Sequence, residues 1–493
     1  MARIILATIN AKWIHPSLAL RLLKANLGAL QEQCEILEFA LRQPMKEKVD
    51  PILAAQPEIL GLSVSIWNHL ATMELLEALE KEWLIIQDDE EPTQRPVVVL
   101  GGPEVSWLPG EAEIFRHADF VIRGEGEESF RLLCNEILRG DHRRNETAGA
   151  VFINRAVTTI NLNEIYLPYR LYTDEDLQRK LVYVETSRGC PFGCEFCQGN
   201  LHKIREFPLE PFLAEMESLI NRGGRIFKFL DRTFNLDIDR AVKIMDFFQV
   251  KIEAGVPGGS SPKKPICVHF EMVPSFFPLA LRESLRRFSP GTLRLELGIQ
   301  TLNKETAALI SLPRNSKSSE KPEELETLRF LRAETNAIIH ADLIAGLPGE
   351  SLDSFGDGFD RLWQALSDSK PPSDTPFEIQ LGILKRLPGT TIARHDETHK
   401  MRYSPEPPYE VIETGALPAA ELLRLKNFAR FWELILNRNP FPDLLPGLLP
   451  PGKPVFDRFM NLSDKLLETL GRNWGIDKME LKAHIIDFWP ILI

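Results

Sequence analysis

Three cysteines stand close together in one short stretch of the chain, in the spacing C-x3-C-x2-C. They are Cys190, Cys194 and Cys197, and Phe196 precedes the last of them. An iron–sulfur cube normally takes four thiolates and a closed structural zinc site takes four ligands, so three cysteines on one loop leave one metal corner open for chemistry. The alternatives are a zinc knuckle or unconnected thiols. A zinc site would need a fourth Cys or His nearby, and the nearest later histidine, His202, could serve only by chance.

The elements that must position these cysteines are predicted from apolar runs. The loop follows Leu181–Glu185, which is rich in β-branched and aromatic residues and predicts a buried strand. Five similar runs follow, separated by helical segments, and they are Arg225–Leu230, Ile266–Phe270, Leu293–Gly298, Ala337–Ile344 and Phe377–Leu384. Six β/α units in order predict a partial (β/α)6 TIM-like barrel over residues 181–395. The cysteines then lie at the carboxyl end of its first strand, where such barrels place their active sites.

Several of the later strands end in polar or glycine residues. Those singled out by their positions are Asp231, Glu296, Gln300, Asp342 and Gly346. Glu296 stands between Leu295 and Leu297, so its side chain faces the opposite side of the strand from theirs. The alternative for Glu296 is an ordinary salt bridge.

The first 153 residues predict a separate domain with a doubly wound parallel sheet. Apolar runs alternate there with helical stretches, and they are Arg3–Thr8, Glu35–Phe39, Ile59–Ser63, Val97–Gly101 and Asp119–Ile122. Ligands of such sheets bind beyond the carboxyl ends of the strands. The small residues at these ends, which would let a flat ligand approach the backbone, are Ser63, Ser65, Gly101, Gly102 and Gly124. Taken alone, they could equally be turn residues.

Composition limits the classes of function. The 493 residues suggest two or three domains, and 44% hydrophobic with 26% charged residues is typical of a soluble globular protein. A formal net charge of −12 argues against nucleic acid or an anionic membrane as partner. We find no apolar run long enough to span a bilayer, and the chain starts with a strand, so we expect a cytoplasmic protein. The cysteines outside the loop, Cys34, Cys134 and Cys267, are expected to be buried as small hydrophobes.

The cysteine loop and the strand-end segments resemble those of the radical S-adenosylmethionine (SAM) enzymes, in which the open iron of a 4Fe-4S cluster binds the amino and carboxylate groups of SAM. The resemblance implies that the three cysteines hold this cluster. It also implies that Asp231 borders the SAM methionyl group, although Arg232 replaces the second acid of the family's D-D-x-F-N segment. Glu296 and Gln300 match the family's E-x-G-I-Q-S segment, in which the carboxylate would accept hydrogen bonds from the ribose hydroxyls of SAM. Asp342 begins a segment like the family's D-x-I-x-G-L-P-G-E-T, in which Gly346 and Gly349 would let backbone groups approach adenine.

The first domain resembles the flavodoxin-like cobalamin-binding domain of the cobalamin-dependent radical SAM class, through its L-G-L-S, G-G-P and R-G-E-G-E segments. On this resemblance, the serines and glycines at its strand ends line the corrin and nucleotide-tail site. The D-x-H-x-x-G motif that supplies a histidine below cobalt in many cobalamin domains is absent. His15 and His69 are interpreted as polar surface or loop residues. Bound cobalamin is therefore expected to lack a histidine lower ligand.

The remaining segments are a linker over residues 154–180 and a helical C-terminal region over residues 396–493, in which Leu417–Leu436 carries an apolar stripe. The resemblance implies an enzyme that cleaves SAM reductively and, with cobalamin, modifies an unactivated carbon of a small-molecule substrate, with electrons from a donor such as flavodoxin or ferredoxin. Methyl transfer is the first hypothesis. A radical cyclisation or rearrangement is the alternative. A methylthiotransferase is disfavoured by the lack of a second cysteine trio, and a non-catalytic iron–sulfur sensor would need only the cysteines.

Overall fold

The computed structural model of the protein describes residues 2–87, 95–141, 150–153, 160–199, 203–255, 265–312, 324–368, 376–444, 448–449 and 453–492. The chain forms two compact units, one of residues 1–187 with 205–228 and one of residues 188–204 with 229–493. Among the described helices, none is long and apolar enough to cross a membrane.

The N-terminal part contains a parallel sheet of six strands. They are β1 Ile4–Asn10, β2 Cys34–Ala40, β3 Ile59–Ser63, β4 Val97–Gly101, β5 Phe120–Ile122 and β6 Val151–Ile153. Their order in the sheet is β2-β1-β3-β4-β5-β6, and each neighbouring pair is parallel. The five predicted strands and the doubly wound parallel arrangement are confirmed. The sixth strand, β6, was not predicted.

The first sheet is buried on both of its faces. Along β1, Ile4 and Leu6 belong to one hydrophobic cluster, whereas Ile5 and Ala7 belong to the other. Successive side chains of a strand point to opposite faces, so a strand covered on both sides must be apolar at every position. This is why the strand reads as a continuous apolar run instead of an alternating one.

Five helices surround this sheet, namely α1 Leu18–Ala25, α2 Met45–Ala55, α3 His69–Gln87, α4 Pro103–Trp107 and α5 Glu127–Arg139. The Ser17 hydroxyl accepts the backbone N–H of Leu20 at 3.2 Å and caps α1. Leucines recur at the helical period as far as Leu30 and predict that this helix continues to about that residue. It ends at Ala25 instead, and a 3-10 turn over Gly28–Gln33 leads to β2.

The segment after β6 is held to the first domain by buried charges. It contains the short helix α6 Asp174–Arg179 and leads into β7 Val182–Val184. The buried guanidinium of Arg21, in α1, donates to Glu38 at 3.0 Å and to Asp176 at 2.9 Å. The ammonium of Lys180 lies 2.9 Å from Asp176 and completes the network. The region that the sequence suggests as a linker is therefore packed and charge-paired where it is described.

A second six-stranded sheet follows, in the order β14-β13-β12-β11-β10-β7. Its further strands are β10 Ile226–Phe229, β11 Cys267–Met272, β12 Leu293–Gln300, β13 Ile338–Ala345 and β14 Phe377–Ile383, and β8 Ser187–Arg188 and β9 Arg205–Glu206 are two-residue strands beside the cysteine loop. The pairs from β11 to β14 are parallel. Helices α7 Leu209–Arg222, α8 Ile238–Glu253, α9 Leu279–Arg286, α10 Lys304–Leu309, α11 Glu324–Glu334 and α12 Leu352–Ser367 alternate with these strands. The predicted six-unit β/α order is confirmed.

The strands of this sheet alternate between buried apolar and partly exposed polar residues. In β12, Leu295 and Leu297 are fully buried, whereas Arg294, Glu296 and Gln300 are partly exposed. The predicted orientation of Glu296 away from its leucine neighbours is thus confirmed. We call the side that carries the alternate residues of β11 to β14, including His269, Glu296, His340 and Glu378, the polar face.

The C-terminal region is mostly helical, as predicted. Helix α13 Ala419–Trp432 continues into a π-helical turn over Glu433–Asn437, and α14 Phe456–Leu470 and α15 Lys478–Leu492 follow. Two short antiparallel strands that the sequence did not indicate, β15 Arg402–Tyr403 and β16 Val411–Glu413, precede α13. The rings of Phe428 and Trp432 stack at 5.6 Å, and Phe359 of α12 meets Trp432 edge-on at 4.7 Å. Aromatic packing therefore fixes the tail to the helices of the second sheet.

Candidate active site

The three cysteines of the loop are all partly exposed, whereas Cys34, Cys134 and Cys267 are buried as predicted. The Cys190 sulfur lies 3.6 Å from the Thr233 hydroxyl, and the backbone N–H of Gly199 donates to the Cys197 sulfur at 3.4 Å. Donors of this kind stabilise a thiolate more than a thiol. The loop therefore presents three partly exposed sulfurs, of which that of Cys197 accepts from a backbone N–H and that of Cys190 lies within hydrogen-bond reach of a hydroxyl. His202 lies outside the described residues.

Burial, together with the neighbouring charges of Cys197 and Cys190, raises the pKa of Cys194 to about 12. Three thiolates so close together require a compensating positive charge. Iron ions supply this charge, and their binding favours the deprotonated form of the thiols. In the described part of the chain, no three His, Cys, Asp or Glu side chains converge as a single metal ion requires. In an iron–sulfur cube each thiolate binds a different iron, so the three sulfurs do not have to converge on one ion. The donor set fits a cluster.

Residues 231–235, after β10, lie beside this loop. Asp231 is buried. Arg232 is exposed, and one guanidinium nitrogen lies 3.9 Å from the Cys197 sulfur. Asn235 is fully buried and its amide donates to the carbonyls of Val273 and Phe276 at 3.0 and 2.7 Å. The residue that replaces the family's second acid thus places a positive charge next to a predicted cluster ligand, while Asn235 fixes the end of β11.

On the polar face, Glu296 has a protein partner. One of its carboxylate oxygens lies 3.2 Å from Nε2 of His269, on β11. The ring of His269 stacks on that of His340 at 5.4 Å, and Nδ1 of His340 lies 3.2 Å from Glu378. Burial alone would raise the pKa of Glu378, but the hydrogen bond and charge of His340 outweigh it and lower this pKa. The sequence did not predict this network, because its members lie on four different strands.

The remaining residues that the resemblance assigns to SAM lie near the carboxyl ends of β12 and β13. Asp342 is partly exposed and is the register partner of Gly298. Gln300 has a φ of +63°, next to an irregularity in the pairing of β12 with β13. Its amide nitrogen lies 2.5 Å from where a Cβ on Gly298 would be, so the Gln300 side chain folds back over the strand at this glycine. Gly346, with a φ of +86°, is buried. A left-handed Gln beside a bulge is typical of a strand end adapted to a ligand.

In the first sheet, the predicted small residues lie at the carboxyl ends of the strands, which we call the carboxyl edge of this sheet. Thr8, Ser63 and Gly101 are register partners on β1, β3 and β4. Ser65 is buried, and its backbone N–H donates to Asn68 at 2.7 Å. Asn68 in turn donates to the Ile9 carbonyl at 3.0 Å, which ties the loop after β3 to β1.

Two glycines at this edge differ in their surroundings. Gly102 has a φ of +108°, and a Cβ there would lie 2.5 Å from the Val64 carbonyl, so it serves close packing of two loops. Gly124 has a φ of +80°, and nothing lies within 4 Å of where its Cβ would be. Its backbone N–H donates to the Ser106 hydroxyl at 3.1 Å. Of the two, Gly124 has the open surroundings that a ligand requires.

The interpretation of His69 as a surface or loop residue is wrong. His69 begins α3 and is buried, with Nδ1 3.0 Å from a carboxylate oxygen of the buried Glu104. A buried carboxylate needs a partner, and His69 provides one. His15 is a partly exposed loop residue as expected, with Nδ1 2.8 Å from the Tyr183 hydroxyl. Burial lowers the pKa of His15, as do the charges of Lys12 and Lys228.

Three tryptophans at this edge were missed by the sequence reasoning. Trp13, Trp67 and Trp107 follow β1, β3 and β4 and are 47%, 55% and 43% exposed. These three strands are neighbours in the sheet. Half-exposed aromatic side chains after three neighbouring strands of a parallel sheet are suited to packing against a large flat ligand such as a corrin. The signal was present in the sequence, as a tryptophan shortly after each of three strands.

Comparison with known families agrees with this arrangement. Residues 4–133 match the B12 binding domain, residues 184–362 match the Radical SAM superfamily, and residues 397–489 match a protein of unknown function (DUF4080). The cobalamin-dependent radical SAM methyltransferase TokK of Streptomyces tokunonensis is 23% identical over 424 residues, which are 81% of this chain and 56% of that protein. The 2-(S-pantetheinyl)-carbapenam-3-carboxylate methyltransferase of Streptantibioticus cattleyicolor is 26% identical over 63% of this chain and 45% of its own length. The chain thus spans about half of these relatives.

Solved structures show the same fold at low identity. The cobalamin-dependent radical SAM enzyme OxsB, solved with aqua-cobalamin, is similar over 99% of this chain and 75% of its own, with a TM-score of 0.63 and 16% identity. The methyltransferase TsrM of Kitasatospora setae, solved with cobalamin and a [4Fe-4S] cluster, covers 83% of this chain and 78% of its own, with a TM-score of 0.56 and 17% identity. The chain therefore has the fold of those proteins.

Proposed function

We propose that this chain, which carries a B12-binding domain followed by a radical SAM domain, is a cobalamin-dependent enzyme that methylates an unactivated carbon of a small-molecule substrate. One observation carries the proposal. The chain combines a loop of three reachable cysteines with a sheet edge that suits a flat macrocycle. The curated relatives described above are methyltransferases, which supports methyl transfer over cyclisation or rearrangement.

In this proposal each group has residues to hold it. Cys190, Cys194 and Cys197 bind a 4Fe-4S cluster, with the Gly199 N–H donating to one of the sulfurs. When bound, the cluster with SAM supplies a carbon radical, and cobalamin supplies a methyl group that can join a substrate radical. The residues that we assign to SAM are Asp231, Glu296, Gln300, Asp342 and Gly346. Those that we assign to cobalamin are Ser63, Ser65, Gly101, Gly102 and Gly124.

The domain limits that we propose are 1–153 for cobalamin, 154–180 for the connection, 181–395 for the radical SAM core and 396–493 for the C-terminal region. The electron that cleaves SAM would come from a cytoplasmic donor such as flavodoxin or ferredoxin. A methylthiotransferase would need a second set of cysteines for an auxiliary cluster. Cys34, Cys134 and Cys267 are buried on separate elements, so they do not form one.

The test is anaerobic reconstitution with iron, sulfide and hydroxocobalamin, followed by ultraviolet–visible and electron paramagnetic resonance (EPR) spectra. We expect one 4Fe-4S cluster and one cobalamin per chain. Cys190→Ala, Cys194→Ala and Cys197→Ala should each abolish SAM cleavage, and Cys267→Ala, which removes a buried cysteine outside the loop, should not. Stoichiometric zinc without iron in the anaerobically purified protein would overturn the proposal.

The reaction type is tested by its products. Methyl transfer consumes SAM in two ways, so S-adenosylhomocysteine and 5'-deoxyadenosine should accumulate together once a substrate is supplied. Label from the SAM methyl group should appear in the product. Formation of 5'-deoxyadenosine with an altered but unlabelled product would exclude methyl transfer and favour a cyclisation or rearrangement.

A further inference from the structure

Glu195 stands inside the cysteine loop, directly after Cys194, yet it is buried. Its exposed fraction is 3%, whereas the three cysteines of the loop are partly exposed. Its backbone is held on both sides. The N–H donates to the Ile310 carbonyl at 3.2 Å, and the carbonyl accepts from the Ile392 N–H at 3.0 Å. The position of Glu195 is therefore fixed by two segments that are distant from it in sequence.

The carboxylate of Glu195 has three side-chain partners. The Ser311 hydroxyl donates to Oε1 at 3.0 Å, and Nε2 of His395 lies 2.9 Å from Oε2. The guanidinium of Arg394 forms an ion pair with Oε1. A buried carboxylate is costly unless it is paired, and here both oxygens are engaged. The pairing partners come from α10's end and from the 3-10 turn Thr391–His395, which follows β14.

The segment that holds Glu195 also reaches a loop predicted to bind SAM. The ring of His395 lies 5.6 Å from that of His399. Cε1 of His399 lies 3.4 Å from where a Cβ on Gly349 would be, in the Gly-Leu-Pro-Gly loop after β13. Residues 391–399 thus contact the cysteine loop with one end and the Gly-Leu-Pro-Gly loop with the other.

We propose that Glu195 is a positioning residue for the cluster, which fastens the cysteine loop to residues 391–395 and so sets the geometry of the three thiolates. This inference rests on the proposed function, because it assumes that the loop binds a cluster. A cluster with three protein ligands lacks a fourth thiolate to orient it. The orientation must then come from contacts that hold the loop itself, and residues around the ligands commonly have this effect.

The test compares Glu195→Ala, Glu195→Gln and His395→Gln with the wild-type protein, all reconstituted anaerobically. Loss of a residue that orients the metal ligands lowers metal affinity by about 10- to 100-fold. We expect Glu195→Ala to release iron to a chelator at least about tenfold faster than the wild type and to change the EPR spectrum of the reduced cluster. Glu195→Gln keeps an oxygen that accepts from Ser311 and Arg394, so its effect should be smaller. In the double variant Glu195→Gln/His395→Gln, iron release should be accelerated by less than the product of the two single-variant factors. Both changes act on one contact, so their effects are not independent.

Asp360→Asn is the matched control. Asp360 accepts hydrogen bonds from the backbone N–H groups of Val455 and Phe456 at 2.6 and 2.9 Å. The change therefore replaces a hydrogen-bonded carboxylate by an amide away from the cysteine loop. It should leave iron release and the EPR spectrum of the reduced cluster unaltered. If Glu195→Ala is insoluble, the two Gln variants decide the question. Iron release and spectra like those of the wild type in all Glu195 variants would overturn this inference. A wild-type protein that binds no cluster would instead overturn the proposed function.

Discussion

Glu296 and His269 face each other across β11 and β12, with a carboxylate oxygen of Glu296 3.2 Å from Nε2 of His269. The sequence offered two interpretations of this carboxylate, a hydrogen-bond acceptor for SAM and an ordinary salt bridge. The structure brings the two side chains within ion-pair distance. A carboxylate has two oxygens and about four lone-pair sites, so a contact with His269 leaves room for a ligand hydroxyl.

Glu296→Gln separates these two roles. Hydrogen bonds to charged groups contribute about 1.5–3 kcal/mol, so a contact with the ribose predicts a loss of SAM affinity of at least about tenfold. His269→Gln keeps the carboxylate and should change SAM affinity much less. Affinity is measured from the change that SAM causes in the EPR spectrum of the reduced cluster. A Glu296→Gln variant with unchanged SAM affinity but a lower melting temperature would show that Glu296 is structural only.

His69 gives a second prediction, about the lower face of cobalamin. Its Nδ1 is paired with Glu104 at 3.0 Å, in a buried environment. We expect His69→Ala to leave the absorption spectrum of bound cobalamin unchanged, and the same for His15→Ala. His69→Ala should nevertheless destabilise the fold by roughly 1–3 kcal/mol, because the buried Glu104 loses its contact with the imidazole. A spectral shift like that caused by loss of a nitrogen ligand, in either variant, would contradict the prediction.

The elements of the fold could be predicted better than the contacts of the site. β3 and β4 have the predicted limits, because buried parallel strands are apolar throughout. Glu195 gave no signal, since its partner His395 is 200 positions away and a single Glu in a loop is usually solvated. His69 was misjudged for the same reason. Its partner Glu104 follows a different strand, and only the folded sheet brings the two together.

Gly346 allows a prediction about stability. Its φ is +86°, and a Cβ there would lie 2.5 Å from a methyl group of Val411. Gly346→Ala therefore combines backbone strain with overpacking. We expect it to lower the free energy of unfolding by roughly 1–3 kcal/mol. Gly358→Ala in α12 is the control, because its nearest neighbour would be at 3.5 Å, an ordinary contact. A helical glycine exchanged for alanine should be neutral or stabilising by up to about 1 kcal/mol. Thermal unfolding of the two variants checks the difference, and equal melting temperatures would contradict it.

The buried network of Arg21 predicts how stability depends on pH. Burial alone would raise the pKa of Asp176, but the hydrogen bond of Lys180 and the charge of Arg21 outweigh it and lower this pKa. A carboxylate with a lowered pKa stabilises the fold above its ordinary pKa of about 4, and this stabilisation is lost as the pH falls through the lower folded value. Asp176→Asn should therefore be less stable than the wild type at pH 7, and the gap should shrink below about pH 4. Melting curves between acid and neutral pH measure it, and a gap that does not depend on pH would contradict the prediction.

Arg232 predicts an effect on the electron-accepting properties of the cluster. Its guanidinium lies 3.9 Å from the Cys197 sulfur. A nearby positive charge favours the reduced cluster, which carries one more negative charge, and hydrogen bonds to cluster sulfurs act in the same direction. Arg232→Met should lower the reduction potential of the cluster, and Arg232→Asp should lower it further. Arg438→Met, which removes an exposed cation paired with Glu433 and not with a cysteine, is the control and should leave the potential unchanged. The potentials are measured by EPR-monitored redox titration without SAM. A potential that is the same in Arg232→Asp and in the wild type would show that Arg232 does not act on the cluster.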